Sequence, residues 1–417
     1  MQPIAILSIS IGSLSYRRVE FCLLGRALRC GDTGLAYNKS MDYNKLALEL
    51  HKHYRGKIST QLRDKNELDQ IKLSAYYSPG VGAVSQAIAA QPADLPLYTW
   101  TNNLVAVISD GSAILGLGDL GPKAAMPVME GKALLFKHFA DIDAVPIILD
   151  VHQPDEIVAA VKAIAPSFGA INLEDIAAPK CFEIEERLKA ELDIPVFHDD
   201  QHGTAIVVLA GLINAARLTG RSLADSKIVV VGAGAAGTAI IKLLNLYGAA
   251  HIIAVDSRGA IGTHRSDLNS EKTALLQYLN TDQTGSLEDT LVGADIFIGV
   301  SRAGLLTPEL VQTMATNPII FALANPVPEI MPATAKQAGA AVIATGRSDF
   351  PNQVNNSLAF PGIFRGALDH HVQKITDQHK LAAAEALAQL VAHPTADMVI
   401  PSPFDSRVVA AVAQVIR

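Results

Sequence analysis

Cysteine is scarce in this 417-residue chain, which contains three in all, Cys22, Cys30 and Cys181. They form no CxxC pair, and an odd number of scattered thiols suits a reducing compartment. An excess of positive charge is also missing. The formal net charge is −7, which argues against a nucleic-acid-binding surface. Uninterrupted apolar runs of the roughly 18 residues that span a bilayer are absent as well. We therefore expect a cytoplasmic protein without nucleic-acid or membrane partners.

Residues 1–40 differ in character from the rest of the chain. An apolar run from Pro3 to Leu14 precedes a group of arginines, which is the reverse of the order in a secretory signal. The arginines are Arg17, Arg18, Arg26 and Arg29. One interpretation is an organellar transit peptide, which would place the protein in an organellar matrix. The other, which we favour, is an upstream start codon with Met41 as the true start.

Helical and strand patterns alternate along most of the remaining chain, and they predict an α/β fold. Strands are expected near residues 145–149, 171–173, 194–197, 227–231, 251–255, 296–300, 319–323 and 341–343. Helices are expected between most of them, including a long one from about Thr204 to Leu218. Further helical patterns cover residues 361–372, 378–392 and 405–416. The second half of this alternation predicts a doubly wound parallel sheet.

A glycine-rich segment at residues 232–237 follows a buried-type strand and opens a helix. It reads Gly232-Ala233-Gly234-Ala235-Ala236-Gly237. In such a loop the three glycines allow a tight turn, a close approach to a pyrophosphate and close helix–strand packing. Asp256, about 20 residues further on, favours the free 2′-hydroxyl of NAD. Arg258, with Ser257 beside it, could instead take the 2′-phosphate of NADP. The segment predicts a Rossmann dinucleotide site, with a lean toward NAD.

A second GxGxxG match, from Gly116 to Gly121, has a different context. Asp110-Gly111 lies between two apolar runs before it, which predicts a β-hairpin, and Pro122 follows it. A Rossmann loop joins a strand to a helix. We therefore predict that this second segment does not bind the dinucleotide phosphates.

Two adjacent carboxylate pairs, Glu174-Asp175 and Asp199-Asp200, are predicted at the carboxyl ends of strands, where open α/β sheets bind ligands. Both members of a pair can face one ion only where the strand has ended in a loop. Taken alone, each pair fits a helix cap or a solvated loop. Two pairs in equivalent positions favour an all-oxygen site for Mg²⁺ or Mn²⁺. The flanking His198 and His202 are interpreted as structural or supporting residues.

Several short motifs, taken together and in order, resemble those of the malic enzyme family. They are Tyr77-Ser78-Pro79-Gly80-Val81, the segment from Gly116 to Gly121, Met129-Glu130-Gly131-Lys132, Leu173-Glu174-Asp175-Ile176, the segment from Asp199 to Ala205, Ala324-Asn325-Pro326, and Asn355-Asn356-Ser357 with Phe360-Pro361-Gly362. The resemblance runs from about Met41 to His370 and is to the short bacterial form.

The resemblance implies a role for each matched polar residue. It implies Glu174, Asp175 and Asp200 as metal ligands with Asp199 beside them, Lys132 as the general base, Tyr77 as the acid that protonates the enol, and Asn325 and Asn356, with Asn355 nearby, as contacts to substrate and nicotinamide ribose. Without the resemblance, Lys132 would be a surface lysine and Tyr77 a half-buried ring. As a base, Lys132 would need burial and a nearby cation to lower its pKa from about 10.4 toward roughly 7–8.

One position departs from the larger malic enzymes, which carry an arginine two residues after the Asp-Gly turn. Ala113 stands there in this chain. The substrate charge would then be met by the metal, asparagine amides and backbone groups, or by an arginine from elsewhere, such as Arg365.

The resemblance implies oxidative decarboxylation of (S)-malate to pyruvate and CO₂ by a homodimer that reduces NAD or NADP. The expected organisation is an extension at 1–40, an α/β substrate and metal domain at 41–203, a Rossmann NAD(P)-binding domain at 204–370 and C-terminal helices at 371–417. Two alternatives stay open: a malolactic conversion without net NADH release, and a catalytically silent nucleotide-binding regulator.

Overall fold

The computed structural model describes residues 43–417, so the interpretations of residues 1–40 lie outside the described residues. Four helices come first: α1 (Tyr43–Tyr54), α2 (Gln70–Tyr76), α3 (Val81–Ala90) and α4 (Leu95–Tyr98). None of their residues is buried, although many are apolar. We call residues 43–100 the arm. Many of its apolar side chains are exposed to solvent.

The first sheet contains four parallel strands in the order β2-β1-β3-β4. They are β1 (Leu104–Ser109), β2 (Asp143–Ile148), β3 (Ala170–Leu173) and β4 (Val196–His198), connected by α5 (Pro122–Ala140), α6 (Pro154–Ile164) and α7 (Lys180–Glu191). All residues of β1, β3 and β4 are buried, as expected for a parallel sheet covered by helices. Because the strands are parallel, all their carboxyl ends meet at one edge.

The hairpin predicted at Asp110-Gly111 is wrong. After β1 the chain forms an irregular loop with a short 3₁₀ turn at Ile114–Gly116. The partners of β1 are the parallel strands β2 and β3, not an antiparallel strand formed by the residues directly after the loop. The reason lies in Asp110, which is fully buried. Its carboxylate accepts hydrogen bonds from the Ser112 hydroxyl at 2.6 Å and the Lys180 ammonium at 2.5 Å. These contacts fix the loop to the sheet edge and prevent the chain from folding straight back.

One long helix, α8 (Asp199–Thr219), leads from the first sheet to the second. It begins directly after β4, five residues before the predicted start at Thr204. Its length and hydropathy are those of a membrane-spanning helix, but 67% of its most apolar window is buried inside the protein. It is the central core helix of residues 43–417.

The second sheet is doubly wound, with the strand order β10-β9-β8-β5-β6-β7. Its strands are β5 (Lys227–Val231), β6 (His251–Asp256), β7 (Gly259–Ala260), β8 (Ile296–Gly299), β9 (Ile319–Ala322) and β10 (Val342–Thr345). Its helices are α9 (Ala235–Tyr247), α10 (Ser270–Leu275), α11 (Leu287–Leu291), α12 (Pro308–Thr313) and α13 (Pro332–Gln337). Only β7 is antiparallel to its neighbour. The order reverses between β5 and β8, which opens a ligand crevice at their carboxyl ends. The predicted α/β class is confirmed.

The C-terminal helices α14 (Phe360–Asp369), α15 (Asp377–Gln389) and α16 (Arg407–Ala413) pack on helices of both sheets. Phe360 and Phe364 meet Phe136 of α5 edge to face, with ring centroids 4.7 and 5.1 Å apart. Asn214 of α8 donates to the carbonyl oxygen of Ala388 on α15 at 2.9 Å. A continuous apolar core therefore extends from the first sheet through α8 to the second. The domain boundaries at 203 and 370 stay predictions.

Candidate active site

Both carboxylate pairs lie at the carboxyl edge of the first sheet. β3 ends at Leu173, so Glu174 and Asp175 belong to a loop, and Asp175 has the left-handed φ of 52°. Asp199 and Asp200 form the first turn of α8. The Asp200 carboxylate accepts the Asp175 backbone N–H at 2.7 Å. Because neither pair is inside a strand, the side chains are free to converge, and the two pairs are tied together.

Lys132 reaches these carboxylates from α5. Its ammonium lies 2.7 Å from Glu174 Oε1 and 2.6 Å from Asp199 Oδ2. The residue is 6% exposed, and its Nζ is 4.3 Å from the centre of the Phe360 ring. It is therefore a buried cation within an acid cluster, in contrast to the surface lysine that the isolated sequence suggested.

The cluster sets the direction of each pKa. Burial lowers the pKa of Lys132, but Asp199, Glu174 and Asp200 raise it by more, so the net direction is upward. The lowered pKa that a base requires stays a prediction, because it depends on a nearby cation and the described neighbours of the amine are carboxylates. Burial raises the pKa of Asp175 to about 8, with the neighbouring carboxylates Asp200 and Glu174 adding to the effect. Burial likewise raises the pKa of Asp199 to about 7. One lysine does not neutralise four acids.

The donor set fits a divalent cation, although no three Asp, Glu, His or Cys side chains in residues 43–417 already form a metal cage. Glu174 and Asp175 are buried, and their oxygens are hard ligands of the kind that Mg²⁺ and Mn²⁺ prefer. Asp175 Oδ2 and Asp199 Oδ1 are buried without a hydrogen-bond partner. Buried acceptors of this kind cost free energy until a cation or a donor meets them. Glu174, Asp175 and Asp200 would hold such an ion.

A further buried acid, Glu185 of α7, lies behind the cluster, and the sequence analysis missed it. Its carboxylate accepts the His198 backbone N–H at 3.1 Å and the His202 Nε2–H at 2.8 Å, and it pairs with Lys189 at 2.6 Å. Burial lowers the pKa of His202 to about 4, so the ring is neutral and donates. Burial opposes the charge of Glu185, but His202 and Lys189 bring its pKa well below the usual range. Both histidines support the start of α8. In the sequence, the only signal for Glu185 was its spacing of four residues from Lys189, which places the two side chains on the same face of a helix.

The nucleotide segment has the predicted strand–loop–helix form between β5 and α9. Gly232 has φ 110°, and a methyl group there would lie 2.7 Å from the Val300 carbonyl oxygen. A methyl group at Gly237 would lie 1.8 Å from the Gly232 carbonyl oxygen. At Gly234 nothing would be within 4 Å. The first and last glycines are therefore required for packing, and the middle of the loop is open to a pyrophosphate.

Asp256 ends β6 as predicted, but two cations already bind its carboxylate. Arg265 contacts it at 3.1 and 3.3 Å, and the Lys272 ammonium lies at 2.5 Å. The Arg258 guanidinium pairs instead with Asp267 at 2.7 Å. Sequence reasoning identified Asp256 and Arg258 but missed Arg265 and Lys272, which lie 9 and 16 residues beyond Asp256 and follow no known pattern.

The predicted asparagines border the two sheets' carboxyl edges. A methyl group at Gly203 would lie 3.1 Å from Asn356 Cβ and 1.8 Å from Asp199 Oδ1, so Asn356 is beside the acid cluster. Asn355 Oδ1 accepts the Ser357 N–H at 2.9 Å and caps a short turn. A methyl group at Gly116 would lie 3.3 Å from the Asn325 carbonyl oxygen. The segment from Gly116 to Gly121 is thus close to Asn325.

Two suggested site residues are not brought to the cluster. Tyr77 is 71% exposed on the arm, and its hydroxyl makes no hydrogen bond within the described residues. Arg365 donates to Asn103 Oδ1 at 2.6 Å and pairs with Asp369 at 2.6 Å. Asn103 directly precedes β1, so Arg365 is at the amino edge of the sheet, opposite the acids. The suggestion that Arg365 meets the substrate carboxylate is wrong.

Two family models match the chain over most of its length. The model of the malic enzyme N-terminal domain covers residues 55–189, and that of the malic enzyme NAD binding domain covers residues 201–415. The chain belongs to the malic enzyme family. Lys132, Glu174 and Asp175 fall in the first matched region and the glycine loop in the second, and Asp199 and Asp200 lie in the short gap between the two.

Individual relatives with high sequence identity support the assignment to the malic enzyme family. The chain is 56% identical over 381 residues to the bifunctional malic/malolactic enzyme of Bacillus subtilis, which covers 90% of this chain and 92% of that one. It is 53% identical over 371 residues to the NAD-dependent malic enzyme of Geobacillus stearothermophilus, with 87% and 76% covered. The crystal structure of the NAD-dependent malic enzyme from Thermotoga maritima superposes with a TM-score of 0.86 at 50% identity, with 89% and 98% covered. The predictions of a malic enzyme and of a Rossmann domain are confirmed.

Proposed function

We propose that the protein catalyses the metal-dependent oxidative decarboxylation of (S)-malate to pyruvate and CO₂, with reduction of NAD or NADP. The observation that carries this proposal is the buried Lys132, held between Glu174 and Asp199 in a chain whose second sheet presents a dinucleotide loop. A proton-transfer group, an oxygen-ligand set and a hydride carrier are the three parts that this reaction requires.

A Mg²⁺ or Mn²⁺ ion held by Glu174, Asp175 and Asp200 would polarise the C2 oxygen of malate and lower the pKa of its hydroxyl. Lys132 takes the hydroxyl proton while the hydride leaves C2 for the nicotinamide. The amine can accept that proton once a bound cation offsets the charges of Asp199, Glu174 and Asp200, which together raise its pKa. The C4 carboxylate then leaves as CO₂, its bonding electrons form the enolate of pyruvate, and Tyr77 protonates C3.

For the nucleotide, we propose a preference for NAD. A carboxylate, Asp256, ends β6 where the adenosine ribose would lie, and Arg258 is paired with Asp267 rather than directed to a phosphate. Arg265 and Lys272 keep Asp256 in place. Relatives of both kinds occur among similar proteins, including an NADP-dependent malic enzyme from Halomonas elongata. Replacement of Asp256 therefore tests the preference directly.

For the assembly, we propose a homodimer in which a second copy covers the arm. Its exposed apolar side chains include Leu48, Leu62, Leu68, Ile71 and Leu97, each at least 63% exposed. A concentration of large, exposed apolar side chains on one segment is typical of a protein contact. The arm also borders a groove of about 1320 Å³ between residues 57–63 and the α5–β2 region, large enough to receive part of a partner chain. Tyr77 lies on the same arm. We therefore expect dimer formation to bring the Tyr77 hydroxyl close to Lys132.

A malolactic conversion is the second candidate, because the Bacillus subtilis relative carries that activity in its name. The same site would serve it if NADH stayed bound and reduced the keto product. One assay separates the candidates: reduced nicotinamide, pyruvate and lactate are measured with malate, Mn²⁺ and each nucleotide. Equal amounts of reduced nicotinamide and pyruvate are expected. Lactate without released NADH would favour the second candidate, and no product at all would favour a silent regulator.

A further inference from the structure

A fully buried carboxylate, Glu329, lies between two loops at the carboxyl edge of the second sheet. Its Oε1 accepts the Ser301 backbone N–H at 3.0 Å, and its Oε2 accepts the Ala324 backbone N–H at 3.0 Å. Ser301 follows β8, and Ala324 follows β9 and directly precedes Asn325. One side chain therefore bridges the loops that leave two neighbouring strands.

These two loops border the crevice where the strand order reverses. The loop after β8 meets the nucleotide loop, since a methyl group at Gly232 would lie 2.7 Å from the Val300 carbonyl oxygen and 3.3 Å from Ser301 Cβ. The loop after β9 carries Asn325, which the resemblance to malic enzymes implies as a contact to substrate and nicotinamide ribose. The carboxylate of Glu329 thus connects the pyrophosphate side of the crevice to its nicotinamide side.

The Glu329 carboxylate is tightly packed, and its hydrogen-bond partners are backbone groups. A methyl group at Gly299, the last residue of β8, would lie 2.4 Å from Glu329 Cδ. Within the described residues Glu329 forms no ion pair, and its hydrogen-bond donors are backbone N–H groups. A buried carboxylate without a counter-ion contributes little net stability. Its effect is to fix the separation of two backbone segments.

We propose that Glu329 is a positioning residue for the nicotinamide half of the dinucleotide. It holds residues 300–303 and 324–328 at a set distance, so that Asn325 stays aligned with the nicotinamide ribose. Glu329 does not touch the cofactor itself and acts through Ala324 and Asn325. The inference rests on the proposed use of this crevice by NAD or NADP and deepens it.

The test compares the binding of NADH with that of ADP-ribose, which lacks the nicotinamide, by fluorescence and calorimetric titration of the full chain. Glu329→Gln keeps the side-chain volume, but its amide NH₂ cannot accept an N–H, so one loop is released. The Kd for NADH should rise roughly tenfold or more, while that for ADP-ribose changes by less than about threefold. The matched control is Glu309→Gln on α12, the same chemical change at an exposed carboxylate in the first turn of the helix. Both of its Kd values should match those of the wild type.

A second variant displaces the same carboxylate by changing Gly299, the residue that packs against it. Gly299→Ala keeps Glu329 but displaces it, and it should weaken NADH binding with the same selectivity. If Glu329→Gln does not fold, Gly299→Ala carries the test. Unchanged NADH binding, or an equal loss for NADH and ADP-ribose, would overturn the proposal. Malate is absent from these titrations, so failure of malate oxidation would count against the proposed reaction and not against Glu329.

Discussion

The Lys132 ammonium and the Asp199 carboxylate, 2.6 Å apart and both buried, connect the middle of α5 to the first residue of α8. They are separated by 67 positions in the chain. Their contact joins the predicted proton-transfer group to the helix that opens with two of the acids. The ion pair is therefore both a structural link and part of the candidate site.

Lys132→Ala should reduce malate oxidation by roughly 10²–10⁴-fold, because a positioned proton acceptor contributes about that much. NADH binding should stay within about threefold of the wild type, since the dinucleotide loop is separate. Lys137→Ala is the control, because Lys137 lies on the same helix but is half exposed and pairs with Asp141 and Asp143. Full turnover in Lys132→Ala would remove Lys132 from the mechanism.

Mn²⁺ should raise the thermal stability of the protein, because an ion that binds only the folded state stabilises it. At a concentration one hundred times its Kd the gain is about 2.7 kcal/mol. Asp175→Asn should abolish most of the shift in melting temperature, and EDTA should reverse it in the wild type. Asp155→Asn, which changes an exposed acid on α6, should respond like the wild type. An undiminished shift in Asp175→Asn would show that the ion binds elsewhere.

The contribution of His202 and Glu185 to stability should fall on acidification between pH 6.5 and 4, whereas Asp175 and Asp199, whose pKa values are raised, contribute with the opposite sign. His202 has a folded pKa of about 4, below its ordinary 6.5, so in this window only the unfolded state takes up the proton. The pKa of Glu185 is lowered as well, so its contribution is complete above its ordinary value of 4.5 and is lost as the pH falls through its folded pKa. Both effects have the same sign.

Urea unfolding at pH 6.5 and pH 4 measures this loss. The wild type should lose on the order of 1–3 kcal/mol more than His202→Gln, which removes the imidazole and leaves Asp175 and Asp199 in place. Glu185→Gln should also lose less than the wild type, since the lowered pKa of Glu185 no longer contributes. Glu183→Gln, at an exposed position of the same helix, should keep the wild-type difference. A loss that is equal in the wild type and in His202→Gln would contradict the assignment of a neutral, buried His202.

Asp256→Ser should shift the nucleotide preference toward NADP. Without the carboxylate, Arg265 and Lys272 lose their partner and are available to a 2′-phosphate. The ratio of kcat/KM for NADP to that for NAD should rise by roughly 10–100-fold. Asp225→Ser, at an exposed position before β5, should leave the ratio unchanged. A wild type that already prefers NADP would contradict the proposed preference for NAD.

Leu62→Glu should dissociate the proposed dimer, because a charge would replace an apolar side chain that is 81% exposed on the arm. Light scattering measures the mass in solution. Leu246→Glu, the same substitution at an exposed leucine of α9, should remain dimeric. A wild type that is monomeric, or a Leu62→Glu variant that is still dimeric, would count against the arm as the contact surface.

Local patterns predicted the parts of the fold that local chemistry determines. Lys227 to Val231 is a buried apolar run followed by glycines, and it forms the strand and loop that the sequence indicated. The hairpin at Asp110-Gly111 was wrong because the partners of Asp110, such as Lys180, come from far along the chain. The direction of the Lys132 pKa depends on acids equally distant in sequence. No short window contains that information.

Contacts across the chain also explain which site residues were missed. Glu185 becomes significant only when β4 and α8 place His198 and His202 against it. Glu329 depends in the same way on the backbone of two other loops. Each is an ordinary glutamate until the fold surrounds it.

α8 has a consequence for the way ligands influence one another. Its first turn carries Asp199 and Asp200, and its later turns lie against α9, the helix that follows the nucleotide loop. A continuous helix of 21 residues acts as a stiff rod of about 30 Å. If a ligand bound at the acid cluster increases the affinity for the dinucleotide by some factor, thermodynamic linkage requires the dinucleotide to increase the affinity for that ligand by the same factor.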